Sequence, residues 1–182
     1  EDCEYPYDEL CGCGVGFKLI QAIGERKGQT IDDLAPYLDL VVTAIAADIV
    51  PLTGENRVLA YFGLLVLNKS PRPGIKAMIH QIDKKELSIT DVVFIIAPRI
   101  NAAGRIRHGQ YAVELLSEID FEEALEFAKE IEQNNIDRKE LDKIITHEAL
   151  QQIEENNEQQ NASNVVYNET WHKGVIGIVA SR

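Results

Sequence analysis

Residues 120–158 constrain the fold more than any other part of this chain. Apolar side chains recur there at helical spacing in two separate stripes, with the polar run 133–135 between them. Because the two halves would bury separate stripes, we predict one long helix that connects two lobes. A coiled coil is the alternative, although its heptad repeat is not sustained. The two stripes consist of Phe121, Ala124, Leu125, Ala128 and Ile131, and of Leu141, Ile144, Ile145, Ala149 and Ile153.

Shorter helices are predicted before this stretch, from apolar periodicity and from polar residues that cap helix starts. A polar linker follows the long helix, after which residues 165–167 have strand composition and residues 174–182 would begin a strand-to-helix unit. The predicted short helices span residues 14–27, residues 34–47, residues 54–67, a piece that ends near His80, and a segment capped by Ser88 that runs to Ile96.

The charge of the chain is unevenly distributed. The net charge is −12, which alone argues against a polyanionic partner. However, residues 57–107 hold nine basic and three acidic side chains, whereas residues 114–158 hold fifteen acidic and four basic ones. A basic middle and an acidic helical arm suit a protein that presents one face to nucleic acid, and two solvated faces are the alternative.

The cysteine pattern and the hydropathy favour a reduced, cytoplasmic protein without a membrane segment. Three cysteines (Cys3, Cys11 and Cys13) lie close together at the start, and no later cysteine could pair with them. No apolar run approaches the roughly 20 residues of a membrane helix. The thiols could bind a soft metal, but without a nearby histidine we interpret them as an incidental cluster.

Asp48 is the first candidate for chemistry. It ends an apolar run and precedes Pro51 in the block 46–52, AADIVPL. A carboxylate at the rim of a buried helix needs a partner, because its desolvation is costly. Either a hard divalent cation or the backbone of the following turn could supply that partner. The block that follows, 53–57, reads as a turn with a helix cap that would hold Asp48 in place.

Two further blocks are suited to binding phosphate. The run 97–106, APRINAAGRI, combines small residues with Arg99, Asn101 and Arg105, and planar guanidinium groups bind phosphate well. The run 171–182, WHKGVIGIVASR, places His172 before an apolar helix, whose first backbone amides can receive an anion. A helix terminus with solvated arginines is the alternative for the first run. Trp171 either belongs to the core or stacks on a base.

These three blocks, in this order, resemble the RecJ-type single-strand-specific exonucleases of the DHH phosphoesterase superfamily. The resemblance implies an α/β fold of the DHH type, of which this chain would be a mainly α part. It further implies a two-metal site for Mn²⁺ or Mg²⁺, in which Asp48 is the late metal-binding aspartate and a catalytic residue. The substrate-binding residues implied by the resemblance are Arg99, Asn101, Arg105, His172, Ser181 and Arg182.

The resemblance also implies how the chain is organised. Residues 1–117 would form the C-terminal half of a DHH catalytic domain, residues 118–160 a long connecting helix, and residues 161–182 the beginning of a DHHA1 substrate-binding domain. The upstream aspartates and the Asp-His-His signature of the family do not occur in these 182 residues. We therefore expect an internal piece of a larger enzyme that is inactive by itself.

The expected activity is metal-dependent hydrolysis of single-stranded DNA from the 5′ end, in DNA repair and recombination. Single-strand-binding proteins and helicases are candidate partners. Two alternatives remain open. One is a DHH-DHHA1 phosphoesterase that acts on short oligonucleotides or cyclic dinucleotides, and the other is a nucleic-acid-binding module without catalysis.

Overall fold

The structure is a computed structural model that describes residues 4–82 and 84–181. In these residues all regular structure is helical, which agrees with the prediction of a mainly α chain. None of the described helices has the length and apolar composition needed to cross a membrane. The α-helices are α1 (Gly12–Arg26), α2 (Ile31–Leu34), α3 (Leu38–Asp48), α4 (Gly54–Lys69), α5 (Pro73–His80), α6 (Ile89–Asp91), α7 (Ala97–Ile106), α8 (Gln110–Ser117), α9 (Phe121–Glu155) and α10 (Lys173–Val179).

The main core lies between α3, α4, α5 and the first half of α9. Val42, Ile45 and Leu67 are almost fully buried in it, together with Ile131 of α9. The helices α3 and α4 approach closely because α4 has a glycine at the crossing. A Cβ atom on Gly63 would lie 2.5 Å from the backbone oxygen of Leu38, so no larger residue fits there without a shift.

The long helix is confirmed as α9, which has 35 residues. Asp120 caps it by accepting hydrogen bonds from the backbone N–H groups of Glu122 and Glu123, at 2.8 and 3.0 Å. The first half of α9 belongs to the main core, α10 also packs on the helix, and the segment before α10 bonds to its second half at Glu148 and Gln152. The buried residues of both halves lie on one face of α9 and continue through Asn135 and Asp142, so the expectation of two separate stripes is wrong. Ile144 of the predicted second stripe is 54% exposed.

Two predicted helices have other bounds. The segment expected to be one helix over residues 34–47 is divided into α2, a 3₁₀ turn (Ala35–Tyr37) and α3. Pro36 explains the division, because proline has no N–H to continue the helical hydrogen bonds.

The second difference concerns the helix capped by Ser88. Expected to stop at Ile96, it continues through a π-helical turn (Val92–Ile96) into α7. Pro98 sits in the first turn of α7, and its missing N–H accounts for the widened turn before it.

The predicted strand over residues 165–167 is absent from the described residues. The segment has no regular secondary structure, and no described strand lies beside it. A side chain makes the bonds that a neighbouring strand would make: Gln152 of α9 donates to the backbone oxygen of Tyr167 at 3.1 Å and accepts from its N–H at 3.2 Å. The unit expected to begin near residue 174 consists of helix α10.

Candidate functional site

Asp48 is the last residue of α3, and its side chain is exposed. The helix ends there because Ile49 adopts the left-handed conformation, with φ 55° and ψ 37°. That conformation is costly for a β-branched residue, and such strain is found most often where a structure serves a function. Ile49 is also 85% exposed, so its burial does not offset the strain. The geometry of the chain directly after Asp48 is therefore maintained by other contacts.

The N-terminal segment and α4 supply these contacts. Asn56 is fully buried, and its side-chain amide donates to the backbone oxygens of Pro51, at 3.1 Å, and Glu9, at 2.7 Å. The hydroxyl of Tyr7 donates to the backbone oxygen of Thr53 at 2.9 Å. The block 53–57 thus holds the turn after Asp48 in place, as the sequence predicts. The segment around Tyr7 adds a hydrogen bond to the same turn.

One side of Asp48 faces a cavity of about 440 Å³, which we call the Asp48 cavity. Its walls are mostly apolar and come from α3, α7 and α8. Arg72 also lines it, but the guanidinium group of Arg72 is already bound to Asp39 of α3. Among the described residues that line this cavity, Asp48 is the one carboxylate.

Asp39 is a structural residue, as its position in a buried helix suggests. Its side chain is 0% exposed and accepts hydrogen bonds from the backbone N–H of Arg72 and from its Nε, both at 3.0 Å. The same guanidinium group donates to the backbone oxygen of Leu116 at 3.1 Å. One ion pair thus connects α3 to the end of α8 beneath the Asp48 cavity.

The cysteines do not form a metal site in the described part of the chain. Cys11 is buried and Cys13 half-buried in the wall of the Asp48 cavity, and both are free thiols. Burial raises the pKa of the Cys13 thiol, so it is protonated at neutral pH. Cys3 lies outside the described residues. No group of three or more His, Cys, Asp or Glu side chains in residues 4–82 and 84–181 could hold a metal ion.

Ala47 and Ile49, the neighbours of Asp48 in sequence, border a second cavity of about 280 Å³, which we call the arginine cavity. It is lined by Ile49 from the turn, by Asn101 and Arg105 from α7, and by Arg138 from α9. Asn101 and Arg105, both predicted from the sequence, are thus brought next to the segment that contains Asp48. Both side chains are exposed and can reach a ligand.

Arg99, the other predicted arginine of α7, has a different environment. It forms an ion pair with Glu132 of α9 and donates to the backbone oxygen of Ile95 at 2.7 Å. Its side chain is largely buried and does not line the arginine cavity. The structure therefore separates Arg99 from Asn101 and Arg105.

The third block packs against α7. A Cβ atom on Gly174 would lie 2.2 Å from the backbone oxygen of Arg105, so α10 approaches α7 through this glycine. A hydrogen bond joins the same two helices, because the guanidinium group of Arg105 donates to the backbone oxygen of Gly174 at 3.2 Å. Nδ1 of His172 accepts from the N–H of Gly174 at 3.1 Å and caps α10, which leaves Nε2 available.

Trp171 and Ser181, two further predicted residues of this block, line neither cavity. Trp171 is half-buried, and its indole N–H donates to Glu148 of α9 at 2.6 Å. Ser181 is exposed and donates to the backbone oxygen of Ile178 at 2.7 Å. Arg182 lies outside the described residues.

Sequence reasoning missed Arg138 and Phe94, which both line the arginine cavity. A signal for Arg138 existed: it is one of four basic residues in the acidic stretch 114–158, and it follows the polar interruption at 133–135. Phe94 gave no such signal, because it reads as one more apolar residue of a buried helix. In the structure it is 74% exposed.

Comparison with known sequences finds relatives that span the whole chain. The chain is 42% identical over 182 residues to the single-stranded-DNA-specific exonuclease RecJ of Bacillus subtilis and 35% identical over 196 residues to that of Escherichia coli. These alignments include 99% and 100% of this chain, but only 22% and 34% of the relatives. The chain therefore spans about a fifth to a third of their length. No protein-family model matches it.

Solved structures give the same result for the fold. The chain superimposes on a RecJ from Thermus thermophilus in complex with Mn²⁺ with a TM-score of 0.84 and 31% identity, over 96% of this chain and 26% of that one. It superimposes on an exonuclease RecJ bound to manganese with a TM-score of 0.88 and 32% identity, over 98% and 45% of the two chains. A further Thermus thermophilus structure contains Mg²⁺. The ions expected from the sequence agree with those in these structures.

Proposed function

Since this chain is of the RecJ type in sequence and fold along its whole length, we propose that it is part of a metal-dependent exonuclease that degrades single-stranded DNA from the 5′ end. One observation carries the proposal: the consecutive residues Asp48 and Ile49 line two neighbouring cavities, the first with that carboxylate in its wall and the second lined by arginines. A phosphodiester bound by the arginines would thus lie beside a ligand for a divalent ion. DNA repair and recombination are the processes that this activity would serve.

The proposed organisation follows the bounds given by the sequence. Residues 1–117 belong to a catalytic domain of the DHH type, and residues 161–182 begin a DHHA1 domain. Residues 118–160 form the long helix that connects the two. The position of α9 supports this division, because its first half packs in the main core and its second half bonds to the segment before α10. The free thiols Cys11 and Cys13 fit a cytoplasmic enzyme.

Asp48 has the chemistry of a ligand for Mn²⁺ or Mg²⁺. It is an exposed oxygen donor, and no basic side chain of the described residues forms an ion pair with it. One carboxylate does not make a two-metal site, so the remaining ligands come from residues that this chain does not contain. When bound, divalent ions stabilise the negative charge that develops on the reacting phosphate.

The side chains of this chain would bind and orient the strand. Arg105 and Asn101 donate hydrogen bonds to phosphate oxygens from the exposed side of α7. Nε2 of His172, held in orientation by the bond from the Gly174 N–H to Nδ1, adds a third donor near the start of α10.

The test is hydrolysis of 5′-phosphorylated single-stranded DNA by the full-length protein with Mn²⁺, beside its Asp48→Asn variant. We expect activity in the unsubstituted protein and its loss in the variant. Asp32→Asn is the matched control, because Asp32 is an exposed carboxylate of α2 away from both cavities. Titration of Mn²⁺ by electron paramagnetic resonance should also show weaker binding in Asp48→Asn. An active Asp48→Asn variant with unchanged Mn²⁺ binding would refute the role of Asp48.

A further inference from the structure

Arg138 faces the arginine cavity from α9, although that helix is predominantly acidic. Arg99 is neutralised by Glu132, whereas neither Arg105 nor Arg138 forms an ion pair with a carboxylate of the described residues. No carboxylate occurs among the described residues that line this cavity. Two guanidinium groups from two different helices thus line a cavity whose described lining contains no negative charge.

The hydrogen bonding of Arg138 is incomplete. One terminal nitrogen donates to the side-chain oxygen of Asn135 at 3.2 Å. Its Nε is inaccessible to solvent and has no hydrogen-bond acceptor among the described residues. Because solvent does not reach Nε, a ligand in the cavity would be bound by the terminal nitrogens of the guanidinium group, of which only one is used by Asn135.

The other walls of the cavity are apolar. Phe94 and Ile49 both lie there and are highly exposed, at 74% and 85%. A small inorganic anion would leave these side chains in water. A nucleic-acid strand would bring a sugar or a base against them, with its phosphate at the guanidinium groups.

We propose that Arg138 binds a phosphate group of a single DNA strand, from the wall of the cavity that α9 supplies. This inference rests on the proposed function and adds a residue of the connecting helix to the nucleic-acid surface. It makes the long helix α9 a direct participant in binding the strand.

The experiment compares Arg138→Gln with Lys139→Gln in the full-length protein. Both substitutions remove one positive charge from adjacent positions of α9, but Lys139 is exposed and lies outside the cavity. Affinity for a single-stranded oligonucleotide labelled at its 3′ end is measured by fluorescence anisotropy with EDTA, over a series of salt concentrations. EDTA prevents hydrolysis, so binding is measured alone.

We expect Arg138→Gln to weaken binding about tenfold and to reduce the slope of log affinity against log salt by about 0.7, as the loss of one phosphate contact requires. Lys139→Gln should stay close to the unsubstituted protein. Oligonucleotides with a 5′-phosphate and with a 5′-hydroxyl distinguish the phosphate involved. If Arg138→Gln weakens binding of both oligonucleotides, Arg138 contacts an internal phosphodiester. If it weakens binding of only the 5′-phosphorylated one, Arg138 contacts the terminal phosphate.

Equal affinities and equal slopes for the two variants would overturn the inference and leave the proposed function intact. Absence of binding by the unsubstituted protein would overturn both. If Arg138→Gln lowered the melting temperature, Arg138→Lys would decide. Retention of the salt slope in that variant supports the phosphate contact, and its loss indicates a merely structural arginine.

Discussion

Arg72 encloses the carboxylate of Asp39 with its side chain and its own backbone N–H, and the two groups lie 2.9 to 3.0 Å apart. The carboxylate is completely buried, whereas the guanidinium group is about one-fifth exposed. Removal of the cation would leave an uncompensated charge in the core beneath the Asp48 cavity. The pair is therefore a condition for the geometry of the site, although it takes no part in the chemistry.

We expect Arg72→Met to lower the free energy of unfolding by about 3–5 kcal/mol, because it strands the buried carboxylate. The double variant Arg72→Met with Asp39→Leu should recover much of that loss, since no unpaired charge remains. Urea unfolding followed by circular dichroism measures both. Lys129→Ala is the control: it breaks an exposed pair with Glu126, and the expected change is below about 1 kcal/mol. A double variant as unstable as the single one would contradict this explanation.

The Lys84–Asp91 pair predicts how stability depends on acid. Asp91 accepts hydrogen bonds from Lys84 and from the backbone and hydroxyl of Ser88, which lower its pKa from 3.8 to about 2. A carboxylate with a lowered pKa binds protons more readily in the unfolded chain. The contribution of ionised Asp91 to the stability of the fold is therefore complete above about pH 4, and it is lost as the pH falls toward 2.

Asp91→Asn should remove this part of the acid dependence. The measurement is the urea midpoint between pH 5 and pH 2 for the unsubstituted protein and the variant, which should converge at the lowest pH. Asp33→Asn tests the same principle at α2, where hydrogen bonds from Thr30 lower the pKa of Asp33. If the urea midpoints of the unsubstituted protein and Asp91→Asn fell in parallel as the pH is lowered, Asp91 would not be the source of this acid dependence.

Gly174→Ala should separate α10 from α7. Its Cβ would lie 2.2 Å from the backbone oxygen of Arg105, and backbone cannot yield as a flexible side chain does. We expect a loss of about 1–3 kcal/mol in unfolding free energy, together with weaker binding of single-stranded DNA. Gly177→Ala is the matched control in the same helix, because a Cβ there meets open space. That variant should be neutral or slightly more stable.

The sequence predicted the helices whose ends carry local signals. Asp120 and Ser88 cap the helices that follow them, and Pro73 begins α5, because capping and proline effects depend only on neighbouring residues. The segment around Tyr167 was wrongly predicted as a strand, since strand formation depends on a partner that is distant in sequence. Its observed partner, Gln152, is a side chain of α9 that no local pattern indicates.

The candidate site was predictable only for residues that the local composition of the sequence marks. Asp48, Asn101 and Arg105 belong to blocks with a distinctive composition, and the structure places them on one turn and one adjoining helix. The environment of Arg99 was not predictable, because it depends on Glu132, which is 33 residues away on α9. Arg138 reaches the arginine cavity through the same long-range packing of α7 on α9.

Ile49→Gly should stabilise the chain. The isoleucine has φ 55°, which is unfavourable for a β-branched residue and natural for glycine, and its exposed side chain gains little from burial. We expect an increase of about 1 kcal/mol in unfolding free energy, from relief of the strain. Val58→Gly, at another exposed β-branched residue but within α4, should be destabilising. A loss of stability in Ile49→Gly would show that Ile49 contributes contacts that outweigh its strain.

The isolated 182-residue chain should bind divalent ions weakly and degrade no DNA. Asp48 is an exposed carboxylate, and the described residues contain no group of three acidic, histidine or cysteine ligands. A single carboxylate cannot hold two ions beside a phosphodiester. The measurement is release of nucleotides from 5′-phosphorylated single-stranded DNA with Mn²⁺, at matched molar amounts of the isolated chain and of the full-length protein. Only the full-length protein should be active. Degradation by the isolated chain that persists in its Asp48→Asn variant would indicate a contaminating nuclease, whereas degradation that this substitution abolishes would show that the chain holds a complete active site and would refute the prediction.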